Sequence, residues 1–248
     1  MLYVIRVRGQ LILLISKSKR IFIIYSSIGC EYSSSKGYKT VSANSLFLTF
    51  DSSFFVWINT HLQYAWLHVL MGFITNKHNF VFPLFLIGFL LIWNQKFSGA
   101  LFILTVLIII GCNDAITHHL LKPYFGRIRP CHNFQDLIVI TNCTNNFSFP
   151  SNHASNCFTF ATLVGLNFPK ARLFVFLVAA LVGFSRIYLG VHYPLDVFGG
   201  VVVGVLMGTL GYHIQKSLLL YFQTKNIKVT HQFPFIKNSI NEISSPTR

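Results

Sequence analysis

At 248 residues, 53% hydrophobic and only 10% charged, the chain is too apolar for an ordinary soluble protein and points to a membrane. Its 20 Lys+Arg against 6 Asp+Glu give a net charge of +14, but the cations lie between apolar runs, which argues against nucleic acid and suits anionic lipid headgroups. The six acids, Glu31, Asp51, Asp114, Asp136, Asp196 and Glu242, are too few and too dispersed for a two-metal phosphatase, so phosphate chemistry would have to rest on Lys, Arg and His.

Residues 1–44 form an arm of their own. Leu11–Ile15 and Ile21–Tyr25 are apolar, but Lys17, Lys19 and Arg20 separate them, and neither run reaches the length of about 20 residues that a crossing needs. The order of basic start and apolar run resembles a secretory leader, without a small-residue cleavage site. Ser33-Ser34-Ser35-Lys36-Gly37 reads as linker, and the arm as a cytoplasmic or interfacial extension.

Six apolar stretches follow, too long for strands and without two-residue alternation, so an all-α membrane bundle of about six transmembrane helices is expected over residues 45–222. The first, about Phe54–Thr75, is interrupted by Asn59, His61, Gln63 and His68 and has an interfacial character. The others are about Asn79–Gln95, Phe97–His118, His153–Phe168, Ala171–Ile187 and Leu195–Tyr221, and a basic tail occupies 223–248. With six spans both termini share one side. That side receives all of the 20 cations except Lys77, Lys122, Arg127, Arg129 and Arg186, which makes it cytoplasmic.

None of the five cysteines forms a C-x-x-C pair, so a zinc site is not expected. Cys131 and Cys143 flank one polar loop. They are either free thiols or a disulfide, the latter if the loop faces an oxidising compartment.

Three clusters at the edges of these apolar stretches carry the chemistry. The first is Lys122-Pro-Tyr-Phe-Gly-Arg127-Ile-Arg129-Pro130; the second is Pro150-Ser151-Asn152-His153; the third is Ser185-Arg186 with His192 and Asp196 after it. Two guanidinium forks and one ammonium suit a tetrahedral dianion, and charges so near a bilayer ask for a functional reason. Ser151 or Asn152 is placed to cap the fourth span, whose first backbone N–H groups would face an anion. Pro194 suits the first turn of the sixth span, with His192 just before it and Asp196 just inside. A carboxylate beside one imidazole nitrogen holds the tautomer and leaves the other nitrogen free to attack phosphorus. Taken singly, each residue also has a plain structural reading: headgroup anchors for the cations, a simple cap for Ser151, helix-terminus electrostatics for Asp196. For Asp114 a helix–helix hydrogen bond is favoured over pairing with a cation or tuning the site, and for Arg127 a headgroup anchor over a further phosphate contact.

The order Lys-x6-Arg-Pro, Pro-Ser-Gly-His, Ser-Arg-x5-His-x3-Asp resembles the three-part signature of the type 2 phosphatidic acid phosphatase and vanadium haloperoxidase superfamily, over about Leu48 to Tyr221. The resemblance implies a membrane lipid phosphatase without cofactor or metal. It makes His192 the nucleophile, Asp196 its orienting partner and His153 the general acid and base. It makes Lys122, Arg129, Arg186, Ser151 and the Asn152 backbone the phosphoryl ligands. The expected partner is a membrane lipid phosphate, a polyprenyl pyrophosphate, phosphatidic acid, phosphatidylglycerol phosphate or lipid A, in a bacterial inner membrane with the site facing outward. Asn152 stands where the family's motif has glycine, which is expected to shift substrate preference. A lipid phosphotransferase and a vanadium haloperoxidase would share these residues, and a non-catalytic lipid-binding or transport protein is the reading from a different class.

Overall fold

The computed structural model describes residues 2–7, 10–17, 20–25, 46–134, 143–144 and 147–224. Two compact units, Met1–Ser45 and Leu46–Arg248, divide it. The linker at Ser33–Gly37 and the tail beyond Thr224 lie outside the described residues.

In the first unit, β1 (Leu2–Val7), β2 (Gln10–Lys17) and β3 (Arg20–Tyr25) pair antiparallel in the order β1-β2-β3. Val7 stands opposite Gln10 and Lys17 opposite Arg20. The all-α expectation therefore does not extend to this arm. Its runs are rich in Ile, Val, Tyr and Phe, which favour a pleated surface, and too short for periodicity to separate strand from helix.

The second unit is helical throughout its described elements. They are α1 (Leu46–His61), α2 (Ala65–Thr75), α3 (His78–Ala115), α4 (Lys122–Phe125), α5 (Pro130–Asn133), α6 (Asn152–Asn167), α7 (Arg172–Tyr188) and α8 (Pro194–Thr224). A π-helical stretch, Ile116–Leu121, joins α3 to α4. The span expected at Phe54–Thr75 is instead two helices. The chain leaves α1 at His61 and re-enters helix after Tyr64, whose extended backbone (φ −105°, ψ 135°) starts α2. The polar residues between the apolar runs mark this break: His68 Nε2 lies 2.6 Å from Gln63 Oε1.

Within α3 the chain reverses at Lys96, a non-glycine residue at φ 48°. Gly88 then lies against Ile103, and a Cβ on Gly99 would come within 2.4 Å of the Leu91 carbonyl oxygen. The two apolar stretches on either side of Lys96 are thus arms of a helical hairpin. Three helical stretches, His78–Asn133 (which contains this reversal), Pro169–Tyr188 and Pro194–Thr224, are long and apolar enough to cross a membrane. Phe82, Phe85, Trp93, Leu107, Phe174 and Leu206 project outward from them. So much apolar surface suits lipid rather than water.

Helices α6 and α8 pack closest, through glycines spaced four apart on α8. A Cβ on Gly200 would meet the Ser151 carbonyl oxygen at 2.6 Å, and one on Gly204 the Ser155 carbonyl oxygen at 2.4 Å. Across the other face of α6, Asn113 of α3 accepts from Ser155 Oγ (2.8 Å) and donates to Asn156 Oδ1 (2.5 Å). These contacts hold the start of α6 in place. Gly204→Leu is expected to force the two helices apart, at a cost of about 1–3 kcal/mol, and to lower both the detergent-solubilised melting temperature and turnover. Gly72→Ala, where a Cβ meets nothing within 4 Å, serves as the control.

Candidate active site

Each cluster sits where a helix ends. The π-helical stretch carries the chain from α3 to Lys122 with a wider turn than an α-helix, a feature often found at functional sites. Gly126 (φ 59°) then closes α4 in the left-handed conformation, and the chain returns toward Arg129, which precedes α5. Ser151, in extended conformation, precedes α6, although its side chain makes no capping bond; its buried Oγ is without a hydrogen-bond partner. Arg186 lies in the last turn of α7, and its carbonyl accepts from the backbone of Val191 and His192, folding the α7–α8 turn back on itself.

The result is one cavity of about 150 Å³ lined by His118, Lys122, Arg129, Thr144, Asn152, His153, Arg186 and His192. All three clusters contribute to it. Lys122, Arg129 and Arg186 are buried, and each has a protein contact that aims it. Lys122 Nζ donates to the Phe147 carbonyl (2.6 Å), Arg129 Nη1 to the Val191 carbonyl (3.2 Å), and Arg186 Nη1 to Thr75 Oγ1 (2.6 Å). Three cations so close, with little solvent between them, make an anion the natural occupant.

Asp196 does not line the cavity. It stands behind His192, fully buried, with Oδ2 3.4 Å from His192 Nδ1 and accepting from the Tyr193 backbone N–H (2.8 Å). His192 Nε2 lies on the other side, 3.3 Å from Arg129 Nη1. Burial pushes the His192 imidazole down to about 4, with the Arg129 and Lys122 charges adding to it and Asp196 opposing. The ring is therefore neutral near pH 7, the state in which a ring nitrogen is nucleophilic.

Arg127 is not a headgroup anchor. Its Nη1 donates to Asp196 Oδ1 (2.7 Å) and its Nη2 to Asp51 Oδ2 (2.5 Å), while the guanidinium lies 4.0 Å above the Tyr193 ring. Asp51, from α1, also accepts from the Leu195 backbone N–H (2.8 Å). Sequence reasoning missed this pair of contacts; the available signal was Asp51 and Asp196 beside apolar runs, since a buried carboxylate needs a partner. Asp114 makes the expected helix–helix bond, accepting from Asn152 Nδ2 (2.9 Å) and Asn156 Nδ2 (3.1 Å) of α6. His118 and Thr144 were not expected at the cavity. The π turn sets the direction of the first, and a Cys131–Cys143 disulfide next to the second holds it near Arg129.

Residues 99–219 match the model of the PAP2 superfamily. Phosphatidylglycerophosphatase B of Bacillus subtilis is 30% identical over 161 residues, which cover 59% of this chain and 74% of that protein. The chain belongs to the PAP2 superfamily. A lipid A 4'-phosphatase of Bacteroides thetaiotaomicron is 33% identical over 144 residues, 55% of this chain and 64% of that relative, so the match spans a little under two thirds of its length. Among solved structures, the membrane PAP2-type phosphatidylglycerolphosphate phosphatase of Bacillus subtilis superposes with a TM-score of 0.57 at 26% identity, covering 71% of this chain and 89% of that one. In this membrane PAP2 protein the candidate site is built from helix ends.

Proposed function

We propose that the chain is a lipid phosphatase that hydrolyses a phosphomonoester or diphosphate of a membrane lipid through a phosphohistidine intermediate. The observation that carries this reading is the single cavity shared by Lys122, Arg129, His153, Arg186 and His192, with Asp196 behind the last. The named activities of the relatives, on lipid A and on phosphatidylglycerophosphate, support it.

In this mechanism His192 Nε2 attacks phosphorus as the bond to the leaving oxygen breaks. His153, protonated once the entering phosphate dianion offsets the surrounding cations, gives that oxygen a proton, and the lipid alcohol departs, or the lipid monophosphate where the substrate is a diphosphate. The imidazole gains positive charge at Nδ1, which Asp196 stabilises. His153, now neutral, takes a proton from water as the water oxygen attacks the phosphohistidine, and inorganic phosphate leaves with both imidazoles restored. Lys122, Arg129 and Arg186 stabilise the charge on the equatorial oxygens, with Ser151 Oγ and the Asn152 backbone N–H as further donors. The lipid tail lies along the apolar helix surface while the headgroup enters the cavity.

A panel of lipid phosphates tested with purified protein in detergent is expected to release phosphate with at least one member, in excess chelator as well as without it. No release from any member, or release only with added Mg²⁺, defeats the proposal. Transfer to an added acceptor lipid in place of release would identify a phosphotransferase.

Helices α1 and α2 do not make the first of the six expected crossings, since Asp51 near the start of α1 and Thr75 at the end of α2 both reach the cavity side. We further propose a bacterial inner membrane, with the cavity on the outer side. The lean of basic residues toward the opposite side and the disulfide beside Arg129 support this, since disulfides persist where the compartment is oxidising. In intact cells, a membrane-impermeant maleimide is expected to label Cys131 and Cys143 after reduction and not before. Protection of both after reduction would place the loop on the inner side.

A further inference from the structure

Two arginines of this region are held in opposite ways. Arg127 is gripped by Asp51 and Asp196, whose charges more than offset its own. Arg186 lines the cavity, and among the described residues no carboxylate pairs with it. Its Nη1 donates instead to Thr75 Oγ1, 2.6 Å away, across 111 positions of chain. A hydroxyl fixes a guanidinium in place and leaves its full charge for an anion. A carboxylate at the same point would compete with that anion.

Thr75 ends α2, and α2 is fitted to the turn of α7 that carries Arg186. Met71 and Ile74 share one apolar cluster with Ile187, Tyr188 and Leu189, and the His68 ring meets Tyr188 edge to face at 5.6 Å. At the same end of α2, Asn79 Nδ2 donates to the Phe73 carbonyl (2.9 Å), and the Asn76 backbone N–H donates to the same oxygen (3.3 Å). The helix end is thus closed, and the hydroxyl has a fixed position beside the guanidinium. Thr75 belongs to none of the three clusters, so a motif centred on them does not predict it.

We propose that Thr75 is a positioning residue for phosphoryl binding: its hydroxyl holds the Arg186 guanidinium at the cavity without neutralising it, which makes α2 a part of the active site. The proposal rests on the phosphatase reading and extends the set of residues that serve it. The side chain at position 75 then matters in two separable ways, as an acceptor and as an uncharged one.

Thr75→Ser, Thr75→Val and Thr75→Asp separate the two. Binding of inorganic phosphate to the detergent-solubilised protein is measured by calorimetry, beside the melting temperature and kcat/KM on a lipid phosphate that the wild type cleaves. Thr75→Ser is expected to bind phosphate as the wild type does. Thr75→Val, the same shape without the acceptor, is expected to bind about tenfold more weakly at an unchanged melting temperature, with kcat/KM falling by at least that factor. Thr75→Asp retains an acceptor but pairs with the guanidinium, and is expected to bind more weakly still. In an Arg186→Met background, Thr75→Val is expected to add no further loss of kcat/KM. Wild-type affinity in Thr75→Val, or lost affinity in Thr75→Ser, overturns the proposal. So does a full further loss in the Arg186→Met background, since Thr75 would then act by another route. If Thr75→Val melts early, the other two variants decide, and equal affinity in Thr75→Ser and Thr75→Asp overturns it. A wild type that shows this order of phosphate binding but cleaves no lipid phosphate sinks the phosphatase reading and leaves the role of Thr75 standing; a wild type that binds no phosphate overturns both.

Discussion

His192→Ala is expected to reduce phosphate release to the uncatalysed background, because no other side chain at the cavity combines a neutral ring nitrogen with a carboxylate behind it. Asp196→Asn retains the nucleophile but loses the charge that supports the imidazolium, and its expected loss is up to about 10⁴-fold in kcat. Full activity in His192→Ala would remove the phosphohistidine from the mechanism. The burial that keeps this ring neutral also makes stability depend on pH. With the imidazole at about 4 in the folded protein against an ordinary 6.5, the unfolded chain binds the proton more readily between those values. The contribution is fully present above pH 6.5, declines through the interval and is gone below about 4. The melting temperature of the solubilised protein is therefore expected to fall between pH 7 and 4, and to fall less in His192→Gln. Identical pH profiles for the two proteins would show that the ring is not held neutral by burial.

Arg127→Met is expected to be the most damaging change outside the cavity. It leaves Asp51 and Asp196, two carboxylates almost without solvent contact, facing each other with their shared cation gone. Breaking a buried pair by removing one partner costs about 3–5 kcal/mol, and here one arginine serves two partners. Turnover is expected to fall as well, since Asp196 loses a bond that fixes it behind His192. Arg127→Lys preserves the charge but cannot span both carboxylates as a fork, so an intermediate loss is expected. Adding Asp51→Asn to Arg127→Met should recover part of the stability, because only one uncompensated charge then remains. Additive losses in that double variant would mean that Arg127 and Asp51 act independently. Unchanged stability in Arg127→Met would make the ion pairs inconsequential.

Much of the helical unit was legible in the sequence because lipid imposes a simple rule. A span must be apolar over its length, so the arms on either side of Lys96 and the helices α7 and α8 announce themselves by composition. The rule gave less where runs were short or mixed. The arm's strands were unreadable because five or six apolar residues fit strand and helix equally well. The broken pair α1 and α2 passed for one interrupted span.

The sequence by itself singled out the side chains that meet at one cavity: Lys122, Arg129, His153, Arg186 and His192 stand out because ionisable groups at the edges of apolar helices are costly and rarely incidental. Their order and spacing also assigned the family. The tertiary structure alone decided what supports them. Asp51 meets Leu195 across 144 positions of chain, Arg127 turns inward to two carboxylates, a π turn carries His118 to the cavity, and Asn152 gives its amide nitrogen to Asp114. Spacing along one helix is local and periodic, so it can be read from a string of letters. A contact between helices depends on crossing angle and rotation, which only packing sets.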